Sequence, residues 1–165
     1  MAKSTNIDGI VFRLAGADDV QQIHLIEQRS NPLPWSQHQL QSSLKFHQIW
    51  IAERKTQSKR NQALGFLIAQ EVLDEASLLH IVVDADKQSK GIGRFLLESW
   101  LDKLPKTIIK IWLEVRQSNV YAQKLYWDCG FIKTGSRQDY YQKNLSNPQL
   151  AKETADIFCL RRVSS

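Results

Sequence analysis

The chain has 165 residues, 42% of them hydrophobic, and a net charge of +5; its isoelectric point is about 9.3. That is the size of one ordinary domain with apolar material for one core, so a single unit over 1–165 is expected. The longest apolar run is far short of the roughly eighteen residues of a membrane span. The opening "MAKSTNIDGI" lacks the apolar stretch of a signal peptide, so a cytoplasmic protein with no membrane partner is expected.

In chain order, "GADDVQQIHLIEQRS" pairs Asp18 with Gln21 in a capping-box spacing and sets Val20, Ile23, His24 and Ile26 at helical intervals, which predicts a helix. Two prolines in "NPLPWS" end it. Ser36 and Gln39 repeat the capping pattern and start a shorter helix, "SQHQLQSSLKF". Trp35, just before that cap, is either a hydrophobic staple for the second helix or a wall of a binding cleft. The segments "QIWIAER" and "ALGFLIAQEVL" are rich in β-branched and aromatic residues and flank the basic stretch "ERKTQSKRN". They read as antiparallel strands joined by a solvated loop rather than as a nucleic-acid contact, and no direct nucleic-acid partner is required.

"EASLLHIVVD" predicts a third strand. Beyond a loop with Gly91 and Gly93, the residues Ile92, Phe95, Leu96, Trp100 and Leu104 mark one helical face that Pro105 closes. "TIIKIWLEVR" is the next strand, and strand, helix, strand with short connections implies a right-handed parallel crossover. "NVYAQKLYWDCGF" reads as a helix from an Asn119 cap to Gly130. "IKTGSRQDYYQ" and "DIFCLRRV" read as closing strands separated by the polar stretch "KNLSNPQLAKET". Cys129 and Cys159 are too few for a disulfide framework, and both are expected as buried free thiols. The four histidines have no ligand spacing, so no metal centre is expected.

The junction "VVDADKQSKGIGRFLLESW" passes from an apolar strand through a glycine loop into an amphipathic helix. Glycine there lets backbone amides approach a ligand without a Cβ in the way, and the first helical turn leaves those donors unpaired behind a partial positive charge. A diphosphate suits such a loop, with Lys90 and Arg94 beside it. A tight strand-to-helix turn with no ligand is the competing reading of the same residues. The loop lacks both the nucleotide P-loop and the full dinucleotide pattern.

Gln88-Ser89-Lys90-Gly91-Ile92-Gly93 has the Q/R-x-x-G-x-G/A form, and together with its strand-and-helix setting it resembles the GNAT superfamily of N-acetyltransferases. "WLEVRQSNVYAQKLYWDCGF" resembles that family's second half. "IEQRSNPLPWS", "VLDEASL" and the WLEV element resemble the bacterial subfamily that acetylates ribosomal-protein N-termini. Ser89 departs from that subfamily, which carries arginine there. The stretch Lys143–Thr154 has no match.

The resemblance implies an α/β fold with a mixed, largely antiparallel central sheet, a parallel splayed strand pair and helices on both faces. It implies acetyl-CoA as co-substrate. Backbone groups of Ile81, Val82 and Val83 would hold the acetyl carbonyl and pantetheine arm. Ser89, Lys90, Gly91, Ile92, Gly93 and Arg94 would cradle the pyrophosphate, and Asn119 would contact the coenzyme or cap its helix. The acceptor implied is the N-terminal alanine of a small-subunit ribosomal protein. A small amine or another protein as acceptor, or a non-catalytic acetyl-CoA-sensing module near RNA, are the alternatives.

An amine attacks a thioester only when neutral, and an α-amino group with a pKa near about 8 needs only a modest base. In "KIWLEVR" the alternation puts Ile109, Ile111, Leu113 and Val115 on one face and Lys110, Trp112, Glu114 and Arg116 on the other. From the residues alone Glu114 is an exposed sheet carboxylate paired with lysine; the resemblance makes it the base. Tyr126 is a packed aromatic on its helix or, by resemblance, the acid that protonates the leaving thiolate. Tyr140 and Tyr141 either flank the incoming N-terminus or pack on the sheet edge.

Overall fold

Five residues, Ile10–Leu14, form an unpredicted first strand, β1. It runs antiparallel to β2 (Gln48–Arg54), with Ile10 opposite Arg54. The computed structural model describes residue 7, residues 9–141 and residues 153–163, with backbone alone at 139–141. Seven strands stand in the order β1-β2-β3-β4-β5-β7-β6, where β3 is Gln62–Val72, β4 Glu75–Val83, β5 Lys110–Arg116, β6 Ile132–Tyr141 and β7 Glu153–Arg161. Among the described residues the helices are α1 (Val20–Ser30), α2 (Gln37–Phe46), α3 (Ile92–Lys103) and α4 (Val120–Asp128), with two short 3-10 turns at Ala17–Asp19 and Ala85–Lys87. The sheet is mostly antiparallel with β4 and β5 as its parallel pair, so the expected mixed, largely antiparallel α/β sheet is present.

The chain divides into two compact units, Met1–Gln70 with Leu79–Pro105 and Glu71–Leu78 with Lys106–Ser165. Strands β3 and β4 each contribute residues to both. In the first unit α1 and α2 are amphipathic. Their apolar stripe places Val20, Ile23, Ile26 and Leu40 in one cluster with Ile49, Ile51, Phe66 and Ile68 of β2 and β3 and Val82 of β4. Helix α3 buries the predicted face, Ile92, Phe95, Leu96 and Trp100, together with Leu97. In the second unit, β5 buries Ile111, Leu113 and Val115 while Lys110, Trp112, Glu114 and Arg116 alternate with them, as period two requires.

The capping box of α2 is as predicted: Ser36 Oγ accepts from Gln39 N at 3.2 Å and Gln39 Oε1 accepts from Ser36 N at 2.8 Å. The start of α1 is not. Asp18 does not cap it; instead Asp19 accepts from Gly16 N at 2.8 Å, because its carboxylate is already fixed by Arg13. The Arg13 guanidinium donates to both oxygens of Asp19 at 2.8 Å and to those of Glu53 at 3.0 and 2.9 Å. Asn61 adds a third donor to Glu53 at 2.8 Å. Arg13 is the main cause that holds both carboxyls below their ordinary range.

Depressed carboxyls bind protons later in the folded than in the unfolded chain, so their contribution is complete at neutral pH and is lost as pH falls below about 4. Arg13→Gln should cost about 2 kcal/mol near neutrality, a value kept low because Arg13 is itself partly exposed. The variant's melting temperature should also fall less than the parent's between about pH 6 and about pH 3.5. Thermal melts across that range check both; equal acid sensitivity in the two proteins would assign the effect to other carboxylates.

The loop "ERKTQSKRN" joins β2 to β3, with Lys55 to Arg60 exposed and Thr56 and Ser58 bonded to the Arg60 carbonyl. Of the two thiols, Cys159 is buried but Cys129, the C-cap residue of α4, is only half-buried. Among the described residues no group of histidine, cysteine and carboxylate side chains is arranged to hold a metal ion, and no helix is long and apolar enough to cross a membrane.

Candidate active site

In the first unit, β4 ends in a loop held from several sides. Asp84, 5% exposed, donates its amide to the Leu64 carbonyl at 2.9 Å. Its carboxylate pairs with Arg29 of α1 and accepts from Asp86 N at 3.1 Å. Ser30 Oγ accepts from Ala85 N at 2.9 Å. Gln88 returns to the Val83 carbonyl at 3.3 Å and Lys90 Nζ to that of Asp86 at 3.3 Å. The backbone thus reaches α3 on a fixed path.

Two residues of that path lie in the left-handed region, Ser89 at φ 60° and Gly91 at φ 80°. Glycine takes this conformation freely, whereas Ser89 pays about 1 kcal/mol for it. Gly91 is the N-cap of α3 and brings no side-chain oxygen to it. The first intrahelical bond is from Phe95 N to Gly91 O at 2.9 Å, so the amides of Ile92 and Gly93 precede the helix's own ladder. Ser89, Lys90 and Gly91 are exposed. An exposed, uncapped helix start with a glycine in the left-handed conformation is a cradle that fits a diphosphate, and so fits the pyrophosphate of acetyl-CoA.

Behind this loop Ile81 and Val83 are half-buried and Val82 is buried. Gly65 of β3 is packed so closely that a Cβ there would stand 2.7 Å from the Val82 carbonyl oxygen and 3.2 Å from Val83 Cα. The sequence analysis did not single out position 65; an isolated glycine inside a strand is the signal of such a close approach. Trp35 is half-buried and stacks on His80 of β4 at 5.1 Å with 7° between the rings.

In the second unit, Glu114 stands on the half-buried face of β5, its side chain 26% exposed, and pairs with Arg137 of β6 at 3.2 Å. The lysine expected beside it is elsewhere: Lys110 Nζ donates to Glu75 at 3.0 Å, and Trp112 Nε1 donates to the same carboxylate at 3.1 Å. Arg116 pairs with Glu153 at 3.4 Å. Burial pushes the Glu153 carboxyl up, but hydrogen bonds from Ser118 and the Arg116 charge outweigh it and hold the group low. The Ser118 amide donates to Glu153 at 2.6 Å, which sets the entry to α4. There Asn119 Oδ1 caps the helix by accepting from Ala122 N at 3.1 Å.

Tyr126 is 4% exposed and lies edge-on to Phe131 at 6.0 Å, with Phe158 at 6.2 Å. The parallel ladder of β4 with β5 runs from Glu75–Lys110 to Leu78–Leu113, one residue short of Glu114. Tyr140 and Tyr141 belong to the β6 backbone, with Tyr141 opposite Glu153; their side chains, like the stretch 143–152, lie outside the described residues.

A mixed sheet with one parallel pair and a glycine-started helix directly after the fourth strand defines an acetyltransferase architecture, and residues 20–131 match the pattern of the Acetyltransferase (GNAT) family. The chain belongs to that family, and is an acetyl-CoA-dependent N-acetyltransferase. Within it, the chain is 40% identical over 124 residues to the ribosomal protein bS18-alanine N-acetyltransferase of Escherichia coli K12, covering 74% of this chain and 81% of that one. It is 34% identical to the protein of the same name from Haemophilus ducreyi, over 86% and 93% of the two chains. The crystal structure of the ribosomal-protein-S18-alanine N-acetyltransferase from Escherichia coli superimposes with a TM-score of 0.78 at 34% identity, over 92% of this chain and 93% of that one.

Proposed function

We propose that the protein is a cytoplasmic enzyme that transfers the acetyl group of acetyl-CoA to the α-amine of the N-terminal alanine of a small-subunit ribosomal protein, acting as one acetyltransferase domain across 1–165. The observation that carries this reading is the 40% identity to an enzyme of that name, over most of both chains. The family match, which spans residues of both units, supports the single domain. No nucleic acid or membrane is needed for the reaction.

In this proposal the amides of Ser89 to Arg94 hold the pyrophosphate, with Lys90 and Arg94 adding charge. The Ile81, Val82 and Val83 backbone holds the acetyl carbonyl and pantetheine, and Asn119 meets the coenzyme while it caps α4. Trp35, Tyr140 and Tyr141 line the acceptor's path. Glu114 takes the proton from the incoming ammonium, directly or through one water, so that the nitrogen lone pair is available to bond to the acetyl carbon. As the carbon–sulfur bond breaks, the Tyr126 hydroxyl gives its proton to the departing thiolate, and the second proton that the acylated nitrogen sheds to solvent balances the one that restores Tyr126.

Intact-mass analysis of an alanine-initiated ribosomal protein incubated with enzyme and acetyl-CoA should show one added acetyl group, mapped to the terminal amine. Acetylation of internal lysines or of small amines in its place would refute the acceptor. Tyr126→Phe keeps the ring between Phe131 and Phe158 and removes only the hydroxyl. It should lower kcat by about a hundredfold with the acetyl-CoA dissociation constant unchanged. Stopped-flow and calorimetric measurements separate the two quantities, and an unaltered kcat would remove Tyr126 from the chemistry.

A further inference from the structure

Glu27 is a carboxylate with no solvent exposure at all, on α1, and no step above uses it. It accepts hydrogen bonds from three separate places. His80 Nε2 of β4 donates to both of its oxygens at 2.9 and 3.1 Å. Asn31 Nδ2 donates at 2.7 Å and the Trp35 amide at 3.0 Å. Burial pushes the Glu27 carboxyl up, and the His80, Trp35 and Asn31 contacts more than offset this, leaving it below its ordinary value. An ionised carboxylate only accepts, so the hydrogen of the His80 contact resides on Nε2.

Removing a carboxylate from water costs several kcal/mol, and an apolar side chain would fill the same space without that cost. What the charged group adds is a unique geometry, because every donor must be in place at once. The donors Asn31 and Trp35 bracket the short linker between α1 and α2, which carries Pro32 and Pro34 and is tightened by Leu33 N donating to Asn31 Oδ1 at 3.0 Å. The third donor, His80, directly precedes Ile81 and offers its flat face to the Trp35 indole. Phe66 lies at a steep angle to the His80 ring, 5.9 Å between ring centres. The carboxylate therefore ties the linker to β4 and fixes the Trp35 ring against it.

We infer that Glu27 and His80 are positioning residues that set Trp35 as a rigid wall of the acceptor subsite, so that the wall's position limits the size of the N-terminal residue accepted. This rests on the proposed reading of Trp35 as a substrate wall. With the linker pinned, an acceptor that begins with alanine fits and one that begins with leucine meets the indole; with the linker released, the wall gives way and discrimination falls.

The test compares peptides that differ only in an initial alanine or leucine, with the full-length protein and its Glu27→Gln variant. The amide of glutamine cannot accept from every donor around it. The KM for the alanine peptide should rise about tenfold, the acetyl-CoA KM should stay within about twofold, and the ratio of kcat/KM between the two peptides should narrow by about tenfold or more. If Glu27→Gln does not fold at the assay temperature, His80→Phe decides the matter, since it keeps an aromatic face for Trp35 and removes the Nε2 donor; the same narrowing is expected. An unchanged alanine-to-leucine ratio in a folded variant, or an equal rise in both KM values, overturns the inference alone. A parent protein that acetylates neither peptide overturns the proposed function and this inference with it.

Discussion

Replacing Glu114 with glutamine should lower kcat for an alanine-initiated peptide by about 10³-fold while acetyl-CoA binds as before. The substitution is close to isosteric and leaves an oxygen for Arg137, now 3.2 Å away. The ion pair is partly exposed, so its loss costs at most about 1 kcal/mol and the fold should persist. What disappears is a proton acceptor. The peptide's α-ammonium has an ordinary pKa near about 8, so at about pH 9 most of it arrives already neutral and the variant should recover a large part of the missing rate. Steady-state kinetics from neutral to alkaline pH test this, with calorimetry for acetyl-CoA. Full turnover at neutral pH would remove Glu114 from the base role, and a deficit that does not narrow with pH would assign it a different one.

The parts of the site that could be read from the sequence are those encoded within one turn or one strand. Ser36 and Gln39 lie three residues apart and form a cap from local geometry alone. In β5 the alternation told which side chains share a face with Glu114. The Gly91 conformation follows from residue type, since few other residues enter the left-handed region freely. Contacts between distant residues were not legible. Glu27 and His80 stand 53 positions apart, and neither has a neighbour that signals the other. The Asp18–Gln21 spacing predicts a cap for α1 that does not form; the turn before α1 is held by Asp19, whose partner Arg13 no spacing rule reveals. Strand β1 escaped prediction because five residues hold too little alternation to stand out; its pairing with β2 is what makes it a strand.

A single methyl group at Gly65 should impair the protein more than its size suggests. The added Cβ would lie 2.7 Å from the Val82 carbonyl oxygen, 3.2 Å from Val83 Cα and 3.1 Å from Leu96 Cδ1. The leucine tip can turn aside, but the other two contacts are backbone, so the end of β4 must move. That movement is opposed next door, where the Asp84 amide is bonded to the Leu64 carbonyl and the Asp84 carboxylate is paired with Arg29. Gly65→Ala should therefore cost about 3 kcal/mol of stability and, because Val82 and Val83 are proposed to hold the pantetheine arm, raise the acetyl-CoA KM by about tenfold or more. Gly16→Ala is the matched control. No atom lies within 4 Å of a Cβ at position 16, its φ is −117°, and both stability and KM should be nearly unchanged. Thermal melts and acetyl-CoA titrations on the pair decide between two mechanisms: if Gly65→Ala loses stability but keeps its KM, the strain is absorbed within β3 and the end of β4 does not position the donor.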